Sequence, residues 1–489
     1  MSKKVVIIGA GLGGLECGYI LAKNGMEVVV LEHDVHIGGC LQSFKRGNIL
    51  FDTGFHYIGG LRQGESLHGL FKYFNLLDLP WKALDEDCFD EVVIGDRSFP
   101  LAVGHDRFVD TLAHYFPREK DNLTKYVGFL KSVGEHITDA FLPREASDFY
   151  STSLFARSAY QFLVDTIGDP LLRKILSGNS LKMELRQDTL PLYVFAQINN
   201  SFIQSAWRIT GGGQQIANHL ADDICRMGGT VRTNAMVTAI KDENAVAKGV
   251  VINGEEFMEA DYIVCDIHPQ EALQLLAQST SVRNIYRRRI GALENTYGMF
   301  TAYLALKPES LPYLNRNLFV HDPQAQMWNA GDIATESVMV SFYDNQPALD
   351  LLSPMKWKEV EQWADKPKGR RGEDYVEFKM QKVEDCLRLV ERRLPQLKDA
   401  IDRVYTSTPL SYNHYVLTSR GSAFGIRKDW HSPMTTVLTP RTPISNVLLT
   451  GQNLNLHGVL GVSMTSVFTS AEILGMQTLV DQMDVRHWK

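Results

Sequence analysis

The sequence lacks several features that would assign it to large classes of protein. No stretch reaches the ~18 uninterrupted apolar residues of a membrane-spanning helix. No lysine or arginine run accompanies the net charge of -7, which argues against nucleic acid as a partner. The six cysteines form no C-x-x-C pair and have no His-x-x-His companions. We therefore expect reduced thiols in a cytoplasmic protein, and no metal site.

A glycine-rich loop between a strand and a helix dominates the N-terminal segment. The β-branched run Lys4–Ile8 is too short for a helix and predicts a strand. The letters GAGLGG follow and place Gly9, Gly11 and Gly14 in the G-x-G-x-x-G spacing. These glycines allow a tight turn, close backbone approach to a pyrophosphate, and close helix packing, while the helix N-terminus offers N–H groups to phosphates. The order of the elements predicts a dinucleotide site more strongly than the glycines alone.

An acidic residue completes this pattern. The helix extends to about Asn24, and Glu27–Leu31 predicts a second strand that ends on Glu32, 23 positions after Gly9. A carboxylate there can accept hydrogen bonds from both ribose hydroxyls and would repel a 2′-phosphate. The plain alternative is an α/β turn that binds no ligand.

Two further α/β pieces occur later in the chain, separated by helical and mixed segments. Gly211-Gly212-Gly213 lies between a strand and an amphipathic helix, although it could also be an interdomain hinge. Near the end, Val447–Thr450 predicts a strand before Gly451 and a helix from about Gly461 to Leu474. We predict an α/β fold with a discontinuous Rossmann-type nucleotide domain and a second, α+β substrate domain. The predicted boundaries are 1–79, 205–275 and 431–489 for the first, and 80–204 and 276–430 for the second.

Three sequence motifs carry a family resemblance. They resemble motifs of the FAD-dependent group of phytoene desaturases, carotenoid isomerases and retinol saturases, and they are Gly38-Gly39-Cys40, FDTGFHYIG at Phe51–Gly59, and the terminal Gly451-Gln452. The first two motifs are most similar to the retinol-saturase branch. The resemblance covers the nucleotide-binding parts and is weak over about 110–200 and 310–400. Cys40 stands where many flavoproteins of this fold have arginine, which fits the saturase branch and calls an arginine contact to the flavin phosphate into question.

The resemblance implies a glutathione-reductase-like domain with FAD bound non-covalently. A flavin thioether would most naturally use a cysteine in the terminal loop, and none follows Cys386. Because the G-x-G-x-x-G spacing occurs once, NAD(P)H would have to dock transiently as electron donor, or another reductant would replace it. The residues that we predict to bind the cofactor are Gly9, Gly11, Leu12, Gly13, Gly14, Glu32, His33, Gly38, Gly39, Cys40, Val237, Gly451, Gln452, Gly461 and Val462.

Reduction of a C=C bond by a flavin needs a proton source on the face of the substrate opposite the hydride donor. His56 and Tyr57 follow the Gly38-Gly39 motif, in a segment that lies beside the flavin ring in the resembling enzymes. We predict that this pair supplies or relays the proton. Tyr412 is a weaker candidate. The alternative role of His56 is a packed histidine that satisfies backbone groups.

These features predict an FAD-dependent oxidoreductase that reduces a C=C bond of a long apolar polyene or lipid. A carotenoid-type isomerase, a desaturase or, more remotely, an amine oxidase is the alternative, and a lipid-escort protein without flavin is a second one. Aromatic residues of the first insertion are either domain core or the wall of an apolar tunnel whose lip touches a membrane. They are Phe149, Tyr150, Phe155, Tyr160, Phe162, Tyr193 and Phe195. The oligomeric state stays open.

Overall fold

The short β-branched runs Lys4–Ile8 and Glu27–Leu31 form strands, as their composition and length predict. The computed structural model describes residues 2–142, 152–179, 181–329 and 335–488. Its strands are β1 Lys4–Ile8, β2 Glu27–Leu31, β3 Ser43–Arg46, β4 Ile49–Asp52, β5 Ile58–Gly59, β6 Trp81–Ala83, β7 Asp90–Ile94, β8 Arg97–Leu101, β9 Ala206–Ile209, β10 Thr230–Arg232, β11 Val237–Glu243, β12 Val246–Ile252, β13 Glu256–Glu259, β14 Tyr262–Cys265, β15 Gly298–Leu306, β16 Asn317–His321, β17 Ser337–Phe342, β18 Ala348–Met355, β19 Ile401–Ser407 and β20 Val447–Leu449.

The helices occupy the longer amphipathic or apolar stretches between these strands. They are Leu12–Lys23, His68–Tyr73, His105–Tyr115, Lys120–Glu135, Ala159–Thr166, Pro170–Gly178, Leu192–Gln204, Gln214–Arg226, Pro269–Leu275, Asn284–Gly291, Glu373–Val390, Leu397–Ala400, Pro409–Tyr415, Pro433–Thr436, Gly458–Leu474 and Met476–Met483. The last long helix begins at Gly458, three residues before the predicted start at Gly461. Glycine is a common residue just outside a helix, so the sequence left this boundary open within one turn.

A five-stranded parallel sheet carries the glycine loop. Its strand order is β10-β2-β1-β14-β20, and each neighbouring pair is parallel. Val5 and Ile7 of β1 join one apolar cluster, while Val6 and Ile8 join another on the opposite face. This alternation is expected of a strand covered on both faces, and it explains the unbroken apolar run in the sequence.

The parallel sheet takes its strands from three separated stretches, within 4–31, 230–265 and 447–449. A seven-stranded sheet of order β19-β15-β18-β17-β16-β7-β8 lies in the intervening segments. The mixed α/β architecture with a Rossmann-type domain and a second domain confirms the predicted fold class. The predicted domain boundaries stay a prediction.

The aromatic residues of the first insertion pack against one another. Phe155 contacts Tyr193, with ring centroids 4.6 Å apart, and Phe162 lies 4.5 Å from Phe129. Phe195 is fully buried in the same apolar cluster. Of the two roles predicted for this group, Phe155, Tyr193 and Phe195 take that of domain core, and Phe162 packs against the same cluster. Phe149 and Tyr150 lie outside the described residues.

Within residues 2–142, 152–179, 181–329 and 335–488, no helix combines the length and the apolar character needed to cross a bilayer.

Candidate functional site

The glycine loop sits at the carboxyl end of β1, where backbone crowding requires glycine. Gly9 has a φ of 98°, in the region that favours glycine, and its N–H donates to Leu31 O at 2.9 Å. A Cβ on Gly11 would lie 2.6 Å from a carboxylate oxygen of Asp266, and a Cβ on Gly14 would overlap the carbonyl oxygen of Gly9. The helix Leu12–Lys23 can therefore start directly over the loop and point its free N–H groups into the site.

Glu32 lies just beyond β2 and is tied to this loop. Its carboxylate accepts hydrogen bonds from the N–H groups of Ala10 at 2.9 Å and Asp34 at 3.0 Å. His33 Nδ1 lies 2.6 Å from the same carboxylate. Burial alone would raise the pKa of Glu32, but these contacts lower it below its usual value, so the group is ionised at neutral pH. The Oε2 atom, which accepts from Ala10 alone, has a second lone pair that a ribose hydroxyl could use.

A cavity of about 1890 Å³, counted with its open mouth, extends from the glycine loop into the second domain. The cavity brings together residues that are up to 451 positions apart, Gly11 and Val462. The predicted site residues that line it are Gly11, Leu12, Gly13, Gly38, Gly39, Cys40, His56, Tyr57, Tyr412, Gly451, Gln452 and Val462.

Several predicted cofactor residues do not line this cavity. Gly9 and Gly14 are packed against backbone atoms, those of Asp266 and of Gly9 respectively. Glu32 and His33 directly follow the last residue of β2. Val237 is buried at the start of β11, paired with Ile252. Two residues before it, the Ala235 N–H donates to the Glu32 carbonyl oxygen at 2.8 Å. Gly461 lies inside its helix, where a Cβ would overlap the carbonyl group of Leu456. This crowding accounts for the glycine, while a contact of Gly461 with the cofactor stays a prediction; Gly458 lies at the helix start.

His56 lies between the main cavity and a smaller polar one. Its side chain is 12% exposed, with Nδ1 3.8 Å from Asp350 Oδ2. The Nε2 atom is buried and makes no hydrogen bond to the described residues. Burial, aided by the nearby Arg208 guanidinium, lowers the pKa of His56 to about 4. The ring is therefore neutral at pH 7, so the imidazolium form that a general acid would need is scarcely populated.

The two predicted tyrosines already donate to internal acceptors. The Tyr57 hydroxyl donates to Asp90 Oδ2 at 2.7 Å, and the Tyr412 hydroxyl donates to Thr53 O at 3.1 Å. Burial raises the pKa of both hydroxyls well above 10. The proton-transfer role of these residues stays a prediction, and a relay through Tyr57 would have to include Asp90.

Asp266 is a site residue that the sequence analysis missed. It follows β14, and its carboxylate lies close to Gly11, Gly13 and Gly451. Loss of water around the carboxyl raises its pKa to about 7, while a hydrogen bond from Gly14 N–H lowers it. The signal was available, because residues at the carboxyl ends of adjacent parallel strands meet at one sheet edge.

The other end of the cavity is mainly apolar. Lys182 lies among its wall residues, with His457 Nε2 at 3.1 Å from the Lys182 carbonyl oxygen. The apolar members come from separate helices, strands and loops, which is why no sequence window revealed them. They are Leu181, Ile198, Phe202, Met299, Met339, Leu352 and Leu456.

The cavity residues fit a flavin dinucleotide. The loop at Gly11–Gly13 and the glycines Gly39 and Gly451 leave backbone without side chains where a pyrophosphate would approach. The helix Gly458–Leu474 also turns its N-terminus toward the cavity, through Gly458–Leu460. Two helix N-termini directed at one cavity favour an anionic ligand there.

Comparison with known proteins agrees with this geometry. The sequence profile described as flavin containing amine oxidoreductase matches residues 12–459. The chain belongs to this family. It is an FAD-dependent oxidoreductase, as the sequence predicted, and FAD is its cofactor. That the FAD is non-covalent stays a prediction.

Among curated relatives, the flavoprotein is 26% identical to the all-trans-retinol 13,14-reductase of Rattus norvegicus, over 96% of this chain and 85% of the relative. This confirms the resemblance to the retinol-saturase branch. Among solved structures, an oxidoreductase from Methanosarcina mazei superposes with a TM-score of 0.65 at 16% identity, covering 95% of this chain and 98% of the other. Wild-type putrescine oxidase bound to putrescine gives a TM-score of 0.64 at 14% identity, covering 97% and 99%. At these identities the structures show the shared fold alone.

Proposed function

We propose that this flavoprotein reduces a C=C bond of a long apolar polyene or related lipid. The main observation that supports this proposal is the cavity, in which an apolar wall and the predicted FAD site share one continuous space. A relative 26% identical over nearly the whole chain is named for the reduction of a retinol double bond. Both point to an extended, weakly polar substrate.

The residues around the loop would hold the cofactor, which supplies the hydride when it is bound. Gly11, Gly13, Gly39 and Gly451 provide close backbone approach, and Glu32 provides the acceptor for the ribose. His56 and Tyr57 stand in the cavity wall as the predicted groups that orient the substrate or relay its proton. Water is excluded by the apolar side chains at the other end, which protects a reduced cofactor from side reactions.

Anaerobic turnover tests the proposal. The purified flavoprotein is reduced with dithionite and mixed with a polyene alcohol, with putrescine examined separately under oxygen. We expect loss of polyene absorbance and a product heavier by two hydrogens, with no oxidation of putrescine. Turnover of putrescine alone would show an amine oxidase, a product of unchanged mass would show an isomerase, and a colourless protein that takes up no FAD would contradict the enzyme assignment.

The rim of the cavity is suited to collect substrate from a lipid surface. Leu417 lines the cavity and is 37% exposed, and its neighbour Tyr415 is 39% exposed. Lys368 Nζ lies 4.0 Å from the centroid of the Tyr415 ring. Apolar side chains flanked by cations are the pattern of peripheral contact with anionic lipid. We include such contact, and a transiently docked NAD(P)H as electron donor, in the proposed function.

A further inference from the structure

Lys428 is a buried lysine that has no acidic partner among the described residues. The residue is 8% exposed, and burial is the cause that lowers its pKa, to about 7. Its Nζ atom donates to the carbonyl oxygens of Thr436 at 3.0 Å and Asn453 at 2.7 Å. These two neutral acceptors use two of the three donors of an ammonium group and supply no opposite charge. Because lysine is rarely buried unless it is paired with an acid, its counter-ion has to be sought outside the chain.

The lysine lies directly behind the loop that follows β20. This loop, Gly451–Asn453, lines the main cavity, whereas Lys428 does not. The loop is fixed at Asn453, whose Oδ1 accepts from the Ile426 N–H at 3.0 Å and whose carbonyl oxygen accepts from Lys428. The ammonium group is therefore separated from the cavity by a residue that lines it. Lys428 can act on a bound molecule through the Asn453 peptide group and through its charge, without touching that molecule.

The charge of Lys428 already acts on two histidines of the cavity wall, His268 and His457. Burial lowers the pKa of His457 to about 4, a hydrogen bond to the Lys182 carbonyl oxygen opposes this change, and the charge of Lys428 adds to it. Burial likewise lowers the pKa of His268, with Asn295 opposing the change and Lys428 adding to it. Both rings are therefore neutral at pH 7 and bring no charge of their own to this part of the wall.

From this arrangement we propose that Lys428 is a positioning residue that stabilises the negative charge of the reduced flavin. Reduction of the flavin ring by two electrons and one proton leaves one negative charge on it. The helix Gly458–Leu474, which begins five residues after Asn453, turns its N-terminus toward the same cavity and would favour that charge as well. The reduced cofactor is thus the counter-ion that Lys428 lacks within the chain. This inference concerns the cofactor and holds whichever substrate is reduced.

Redox titration of the bound FAD tests the proposal without turnover. The midpoint potential of Lys428→Met is measured at pH 7 by equilibration with reference dyes, and equilibrium dialysis gives its affinity for oxidised FAD. The affinity for the reduced cofactor should fall by about tenfold relative to that for the oxidised one, as expected for the loss of one nearby charge at the effective permittivity of a protein interior. This change in the ratio lowers the midpoint potential by about 30 mV for a two-electron couple.

A second variant, Lys428→Gln, separates the charge from the hydrogen bond. It removes the charge and keeps an N–H donor for Asn453, so it should lower the potential as Lys428→Met does. A wild-type potential in Lys428→Gln would show that the hydrogen bond is what matters and would overturn the proposal. If Lys428→Met takes up no FAD, Lys428→Gln decides the question by itself. Failure of both variants to bind oxidised FAD would also overturn the proposal, because the lysine would then serve the fold or the oxidised cofactor.

The matched control is Lys125→Met, which removes one positive charge from an exposed position of the helix Lys120–Glu135, away from the cavity lining. Its midpoint potential should equal that of the wild type, and an equal fall in this control would assign the effect to net charge. Equal weakening of oxidised and reduced FAD in Lys428→Met would assign the lysine to the pyrophosphate or to the loop. An unchanged potential would leave it a structural residue. Each of these three results would overturn the proposal.

Discussion

The hydroxyl of Tyr57 donates a 2.7 Å hydrogen bond to the buried carboxylate of Asp90. The tyrosine predicted beside the flavin therefore has its proton held by an internal acceptor, which itself pairs with Lys182. Proton transfer through Tyr57 would have to pass along this chain of groups. The Nε2 atom of the neighbouring His56 has no hydrogen-bond partner among the described residues, so the two adjacent residues differ in what they can offer a substrate.

Replacement of His56 by phenylalanine tests the predicted role in proton transfer. We expect alkene reduction to slow by about 10²–10⁴-fold, the usual contribution of a general acid or base. FAD content and the rate of flavin reduction should stay normal, because His56 lies beside the cavity and not in the glycine loop. Stopped-flow measurement of flavin reduction and reoxidation separates these steps.

Tyr57→Phe is the companion variant, since it removes one hydroxyl and keeps the ring that packs on Phe202. If both variants keep full alkene turnover with normal FAD, the proton comes from Tyr412 or from solvent. Loss of FAD in either variant would instead assign these residues a structural role.

Glu32 is expected to bind the ribose of FAD. Glu32→Ala should weaken FAD binding by about 1.5–3 kcal/mol, the range for hydrogen bonds to a charged group. Because Glu32 also accepts from Ala10 and Asp34, thermal unfolding of the FAD-free protein measures the structural part separately. Glu32→Gln keeps the shape and one acceptor, so it should lose less. Equal FAD affinity in all three proteins would mean that the ribose lies elsewhere.

The pKa of about 7 for Asp266 predicts that FAD binding weakens as the pH rises. An acid whose pKa is raised on folding is neutral below that value and anionic above it. Its contribution to folding stability is full below its usual pKa near 4 and is lost as the pH approaches 7. Above pH 7 the carboxylate would repel the pyrophosphate that Gly11 and Gly13 are predicted to hold.

Equilibrium dialysis of FAD at pH 6 and pH 9 measures this effect. The wild type should lose about tenfold in affinity or more over this range. Asp266→Asn, which has no charge to gain, should change far less. A pH dependence of equal size in the Asn variant would assign the effect to another group.

The cavity rim is expected to bind anionic vesicles. Leu417→Ser combined with Lys368→Glu should reduce co-sedimentation with vesicles of phosphatidylcholine and phosphatidylserine, because it removes an apolar contact and reverses a charge. Met434→Ser is the control, since Met434 is 81% exposed and does not line the cavity. Equal loss with Met434→Ser, or no binding by the wild type, would contradict a membrane contact at this rim.

The sequence by itself determined the nucleotide-binding half of the site. The order of strand, Gly9, Gly11 and Gly14, helix, strand and Glu32 is contiguous, and each member acts mainly through its own backbone or its place at a strand end. Such features depend on local conformation, so they can be recognised in the sequence without knowledge of distant contacts. The family motifs at Gly38–Cys40 and Phe51–Gly59 extended the prediction from a dinucleotide site to a flavin site.

Only the tertiary structure decided the protonation states and the neighbouring residues of the candidate catalytic groups. Lys182 and Asp90 are 92 positions apart, and Met299 lines the cavity from β15. The pKa of His56 depends on burial and on Arg208, and the Tyr57 proton depends on Asp90, none of which a local pattern encodes. Burial and charge pairing are sums over neighbours from the whole chain, so they exist only once the chain has folded.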